Sequence, residues 1–193
     1  MSHTEDALGD RLLARARRAI EHELRLASAP CADEDMSERG ATFVTLTEHG
    51  QLRGCIGSLK PTRSLADDVA INACNAAFRD PRFPPVSAAE WPDIRIEVSL
   101  IGASTFLEAT SESDVIARLR PGEDGVILFN GCRGQATFLP QVWEQIPAPG
   151  DFLAALKQKA GLPPDFWSSS IMIATYPVRK WKESERSAAR PQA

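Results

Sequence analysis

Histidine is scarce in this 193-residue chain, limited to His3, His22 and His49, and cysteine occurs only at Cys31, Cys55, Cys74 and Cys132. No two of these residues stand at metal-ligand spacing and no Cys-x-x-Cys pair exists, so no zinc, haem or iron–sulfur signature is present and no metal or other cofactor is expected. The cysteines are too widely spread to frame a small disulfide scaffold, and they read as reduced thiols. No apolar run approaches the roughly 20 residues that cross a bilayer. The opening Met-Ser-His-Thr-Glu-Asp lacks the basic start and apolar stretch of a secretory signal. Cytoplasmic location and no membrane contact are the resulting expectations. A basic surplus is also missing: 22 Lys and Arg stand against 26 Asp and Glu, a net charge of -4. That balance argues against a broad phosphate-binding face and hence against nucleic acid as a partner. There is no Walker loop, dinucleotide fingerprint or Gly-x-Ser-x-Gly elbow.

What is present describes a globular chain. Hydrophobic residues reach 43% and charged residues 25%, enough to bury a sizeable core. A helix is expected from Thr4 to Ala29, because Leu8, Leu12, Ala16, Ile20 and Leu24 recur every four residues, with Leu13 and Ala27 widening the stripe before Pro30. An acidic connector, Cys31 to Gly40, precedes a hairpin: Thr42 to Thr47, a turn at His49-Gly50, then Leu52 to Leu59. A loop at Pro61 to Ser64 leads into a helix over Leu65 to Phe78. The prolines of Asp80-Pro81-Arg82-Phe83-Pro84-Pro85 demand irregular backbone. Ser87 and Glu90 form a capping box.

Ile94, Ile96, Val98 and Leu100 alternate with polar residues as a half-buried strand. A short helix over Ser111 to Leu119 precedes a second hairpin, Val126 to Phe129 and Cys132 to Phe138 around Asn130-Gly131. Helices at Gln141 to Gln145 and Gly150 to Ala160 follow, then a last strand from Ile171 to Trp181, interrupted or bent at Pro177. Trp143, Trp167, Trp181, Phe152 and Phe166 read as core aromatics. Glu97 reads as solvent-facing or paired across strands. Interleaved hairpins and helices favour an α+β fold with mixed or antiparallel sheets and flanking helices. The chain reads as one domain over 1–182 and a disordered tail over 183–193.

Two segments have chemical potential. In Arg53-Gly54-Cys55-Ile56-Gly57, strand alternation puts Arg53 and Cys55 on one face, ~7 Å apart along the backbone. A fixed cation beside a cysteine favours the thiolate. The plainer reading is a small core cysteine with glycines that accommodate a bulge. Arg79, Asp80, Arg82 and Phe83 form the second segment, where a rigid turn presents arginines suited to a carboxylate or phosphate. Its plainer reading is a helix stop with an Asp–Arg pair and a buried Phe83.

The hexapeptide Leu52-Arg53-Gly54-Cys55-Ile56-Gly57 resembles the signature of the AMMECR domain family, whose prokaryotic members are called AmmeMemoRadiSam system protein A. Phe43-Val44-Thr45-Leu46, Asp80-Pro81-Arg82-Phe83, Glu97-Val98-Ser99, Leu139-Pro140-Gln141-Val142 and Lys159-Ala160-Gly161-Leu162-Pro163-Pro164 resemble family segments in the same order. The likeness runs from about Leu8 to about Lys182. It implies a larger and a smaller lobe flanking a cleft near the hexapeptide, and partnership with a Memo-like protein and a radical SAM enzyme. It supplies no reaction. Two readings follow. In one, Cys55 assisted by Arg53 works on a small anionic substrate held by Gly54, Ile56, Gly57, Arg79, Asp80, Arg82 and Phe83. In the other, the same strand is a non-catalytic binding or adaptor surface that holds a peptide, metabolite or modified residue. Cys31, Cys74 and Cys132 lie outside the family pattern.

Overall fold

A computed structural model describes residues 3–28, 36–131 and 134–184. The chain divides into two compact units, one of Met1–Ile101 with Arg179–Ala193 and one of Gly102–Val178.

In the first unit, helix α1 spans His3–Glu23. It stops short of Ala29 because Arg25 adopts a left-handed conformation, φ 59°. Leu26 N–H then reaches Glu21 O at 2.8 Å and Arg25 N–H reaches His22 O at 3.0 Å, the paired bonds of a Schellman ending. Leu12, Ala16 and Ile20 are fully buried along the anticipated stripe, whereas Ala27, beyond the helix end, is exposed.

Strands β1 (Arg39–Gly40), β2 (Thr42–Glu48), β3 (Gln51–Gly57) and β4 (Arg63–Ser64) follow. The β1–β4 pair is a small two-stranded sheet where the sequence promised only connector and loop. β2 and β3 meet through His49-Gly50, and both turn residues have positive φ, 48° and 80°. Helix α2 occupies Leu65–Phe78, started by Ser64, whose Oγ accepts the Asp67 N–H at 3.1 Å. Pro81 disfavours helical geometry at Asp80, so α2 ends there.

The reciprocal Ser87–Glu90 bonds form as anticipated. A 3-10 turn, Trp91–Asp93, then leads into β5 (Ile94–Ile101). The main sheet has the order β10-β5-β2-β3, so β3 is an edge strand. Val44, Leu46, Ile96 and Val98 bury one face of it against Leu12 and Ile20 of α1 and Val69 and Ala73 of α2.

The second unit holds β6 (Thr105–Phe106), α3 (Glu112–Arg118), β7 (Gly125–Asn130), β8 (Gln135–Phe138), α4 (Pro149–Lys159) and β9 (Ile171–Tyr176). Its sheet runs β6-β9-β7-β8. The β7–β8 connection is longer than the two-residue turn expected at Asn130-Gly131, since Phe129 pairs with Gln135; Cys132 lies outside the described residues. The helix expected at Gln141 to Gln145 is a 3-10 segment, Pro140–Glu144. Trp143 stacks on Phe152 with ring centroids 3.6 Å apart and planes 7° from parallel, and its indole N–H donates to Asp124 O at 2.8 Å.

The expected last strand is two. Pro177 ends β9, and β10 (Val178–Lys182) joins the other sheet beside β5, because proline cannot donate to a ladder. Glu183 belongs to this fold rather than to a tail: its N–H donates to Ile96 O at 3.0 Å and its carboxylate pairs with Arg17. The rest of the expected tail, 185–193, lies outside the described residues. The fold is α+β, with antiparallel sheets flanked by helices. Among the described residues, no helix is long and apolar enough to cross a membrane.

Candidate functional site

The His49-Gly50 turn sets Glu48 opposite Gln51 and Thr47 opposite Leu52. A regular ladder would next place Leu46 opposite Arg53 and Val44 opposite Cys55, on the core face. Instead Leu46 faces Gly54 and Thr45 faces Cys55, because Arg53 is an extra residue in β3. Such a bulge re-aims the side chains that follow it. Cys55 is thereby turned away from the helices to the face of Thr45, half-buried, where its Sγ accepts a bond from Thr45 Oγ1 at 3.4 Å.

The bulge breaks the alternation expected to bring Arg53 and Cys55 together. Arg53 is buried, and its Nε donates to Glu90 Oε1 at 2.7 Å. The cation that meets Cys55 is Arg82, whose Nη2 donates to the Cys55 carbonyl at 3.2 Å. Cys55 N–H donates to Asp80 Oδ2 at 2.9 Å. Asp80 and Arg82 close the ring through two bonds, Nε–Oδ1 at 2.9 Å and Nη2–Oδ2 at 2.6 Å. Both outward peptide groups of Cys55, on the open edge of the sheet, are thus taken by one side-chain ion pair. Unpaired strand edges invite association with other strands, and a charged cover prevents it.

This ring has electrostatic consequences. The Arg82 guanidinium bonded to Asp80 holds its carboxyl well below the usual carboxylate range, against burial and with help from the Cys55 and Arg82 amides. Arg82 is raised in turn by its bond to Asp80. At Glu90, burial pushes the carboxyl upward, but bonds from Ser87 and Arg53 outweigh it and leave the group below its ordinary value.

The remaining site candidates separate. Gly54 faces α2, where an added Cβ would collide with the Ala76 carbonyl oxygen, and Ile56 packs against the core cluster. Gly57 lies under the Phe43 ring. Arg79 is exposed at the end of α2 and bonds back to Asn75 Oδ1 at 3.0 Å, away from the Cys55 ring. Phe83 is not plugged into the core; its half-buried ring lies near two guanidiniums, 6.0 Å from Arg53 Cζ and 5.4 Å from Arg82 Cζ.

Other residues were not singled out from sequence. Thr45 was hidden because its pairing depends on the bulge. Glu90 was visible only as a cap, although its spacing from Ser87 announced a fixed carboxylate. Glu97 stands opposite Thr45 on β5 and pairs with Lys180 of β10 at 3.8 Å, the cross-strand pairing expected. Cys55, Thr45 and Glu97 therefore form a row across the sheet. Asp68 is fully buried and anchors the exit of β3, accepting from Thr42 N–H (2.7 Å), Thr42 Oγ1 (2.8 Å), Ser58 Oγ (2.6 Å) and Asn72 Nδ2 (2.9 Å). Among the described residues no group of three or more His, Cys, Asp or Glu side chains is placed to hold a metal ion.

The AMMECR1 family pattern matches residues 13–181, which include the whole Cys55 ring. The chain belongs to the AMMECR1 family. A protein of Methanothermobacter thermautotrophicus is 39% identical over 166 residues, covering 81% of this chain and 84% of the relative. One from Methanopyrus kandleri is 35% identical over 190 residues, covering 92% and 89%. The crystal structure of the uncharacterized protein PH0010 from Pyrococcus horikoshii superimposes with a TM-score of 0.81 at 32% identity, covering 91% of each chain. AMMECR1-family membership thus accounts for the α+β fold and the segment order.

Proposed function

We propose that the chain is an enzyme or enzyme component whose working group is the Cys55 thiol, acting on a small anionic substrate. The observation that carries this reading is the Thr45 Oγ1 to Cys55 Sγ bond. A hydroxyl fixes the sulfur of a half-exposed cysteine whose peptide is pinned on both sides by Asp80 and Arg82. A positioned thiol supplies nucleophilic addition or proton transfer, with the Arg82 guanidinium on the carbonyl of the same residue. Arg82 takes the assisting role first given to Arg53. The family resemblance supports a Memo-like protein and a radical SAM enzyme as partners in an AmmeMemoRadiSam system, and the free thiols of Cys55 and Cys74 support a reducing, cytoplasmic setting.

A second reading, a binding or adaptor module, draws on the carboxylates that Arg53 and Arg82 already hold. Here Cys55 matters by its size alone. Variants separate the two in cells or in a reconstitution with both partners. Loss of function in Cys55→Ser and Cys55→Ala alike supports the thiol. Full function in both, with loss in Cys55→Phe, assigns the strand to binding.

A further inference from the structure

The thiol reading leaves one feature of Arg53 unused. Its side chain is only 10% exposed, and its Nη1 is buried with no hydrogen-bond partner among the described residues. A guanidinium carries five N–H donors in a fixed plane, and a buried donor left unpaired destabilises the fold unless water or a ligand meets it. Among the described residues only its Nε has a protein acceptor, Glu90 Oε1.

The group beside Arg53 is the Phe83 ring, which Arg82 also faces. Phe83 is absent from the core cluster of its unit. Its backbone is tied on both sides, by Phe83 N–H to Asp80 O at 3.1 Å and Val86 N–H to Ala77 O at 2.8 Å. A ligand at Nη1 would then require only the ring, not the turn, to move. Two arginines and two carboxylates, Glu90 and Asp80, leave the surroundings neutral. A phosphate dianion would set two negative charges against both carboxylates, whereas a carboxylate brings one, and its two oxygens match the flat guanidinium fork.

We propose that Arg53 anchors the carboxylate of a small organic acid, accepted at Nη1 when the Phe83 ring swings aside. This rests on the reading of the β3 edge as a ligand-handling site and names the ligand class for it.

The test is titration of the full-length 15N-labelled protein with acetate and succinate, with chloride at matched ionic strength and inorganic phosphate as comparisons, read from the Arg53 side-chain signals and the backbone amides of β3. The expected result is a saturable shift of both with carboxylates only, strengthened in Phe83→Ala; in Arg53→Lys, which keeps the charge but not the fork, the amide shifts report binding weakened about tenfold or more. A shift seen only in Phe83→Ala overturns the proposal, since the native ring then does not swing aside. No saturable shift in either protein, or an equal response to chloride or phosphate, overturns it. Cys55→Ser is expected to respond as wild type does. Saturable binding alongside an inert thiol would therefore sink the thiol reading and keep the anchor.

Discussion

Asp80 and Cys55 are joined across 25 residues of sequence by one bond, the Cys55 amide donating to Asp80 Oδ2 at 2.9 Å. That bond ties the turn after α2 to the open edge of the main sheet. It also fixes a family segment, Asp80-Pro81-Arg82-Phe83, against the cysteine of the signature hexapeptide.

The carboxyl of Asp80 is held below its ordinary value of 3.8 in the folded state. A depressed acid stabilises the fold fully above its unfolded pKa, and that stabilisation is lost as pH falls through the folded value. Asp80→Asn is expected to unfold more easily than wild type at pH 7, by about 1–3 kcal/mol; because Arg82 is half-exposed, the lower end is expected. The difference shrinks below pH 3.8. Urea unfolding of both proteins across pH 7 to pH 2 checks this, and a constant difference would contradict it.

The two glycines of the hexapeptide should differ. At Gly54 an added Cβ meets the Ala76 carbonyl oxygen, which is backbone, while at Gly57 it meets the Phe43 ring, which can rotate. Gly54→Ala is expected to cost the upper end of the ~1–3 kcal/mol typical of overpacking and Gly57→Ala the lower end. Thermal or urea denaturation gives the order; equal losses would mean that α2 does not press on β3 as described.

Asp68 has no solvent access and four strong donors. Asp68→Ala leaves Thr42 N–H without its acceptor and takes one acceptor from Asn72 Nδ2, which also donates to Thr42 O at 2.9 Å; it is expected to cost about 1–3 kcal/mol, the scale of a buried donor left unpaired. Equilibrium unfolding measures it, and a loss below ~1 kcal/mol would be inconsistent with a paired buried carboxylate.

In the second unit, Lys157 is fully buried and pairs with the part-exposed Glu112 at 2.7 Å. The expected effects are asymmetric. Glu112→Ala strands a buried ammonium and should cost about 3–5 kcal/mol, whereas Lys157→Met replaces the charge with apolar volume and leaves Glu112 able to reach water, at ~1 kcal/mol or less. Comparable losses for the two variants would refute this account of the pair.

The sequence carried the elements whose ends are set by local chemistry. Ser64 and Asp80-Pro81 bound α2, His49-Gly50 closes the first hairpin, and Gly161, φ 76°, ends α4. Features made by tertiary context were not legible. Arg25 ends α1 in a conformation usually left to glycine. Pro177 interrupts the last strand, one of the two expected forms, but the change of sheet there was not legible. The bulge at Arg53 has no signal in two-residue alternation, which sets Arg53 rather than Arg82 beside Cys55. Hence the strand itself was legible, but not the cation beside Cys55.

The most direct test of the central claim is the alkylation rate of Cys55 and Cys74 at one pH near 7.5, read residue by residue by mass spectrometry with iodoacetamide. Burial, reinforced by Glu23 and only partly opposed by Arg79, pushes the Cys74 thiol up to about 11, so it serves as an internal slow reference. Cys55 is expected to react about tenfold faster or more, to slow in Arg82→Ala and Thr45→Val, and to keep its rate in Arg53→Lys. Cys55 labelling no faster than Cys74, or a rate that follows Arg53 and ignores Arg82 and Thr45, would contradict the account.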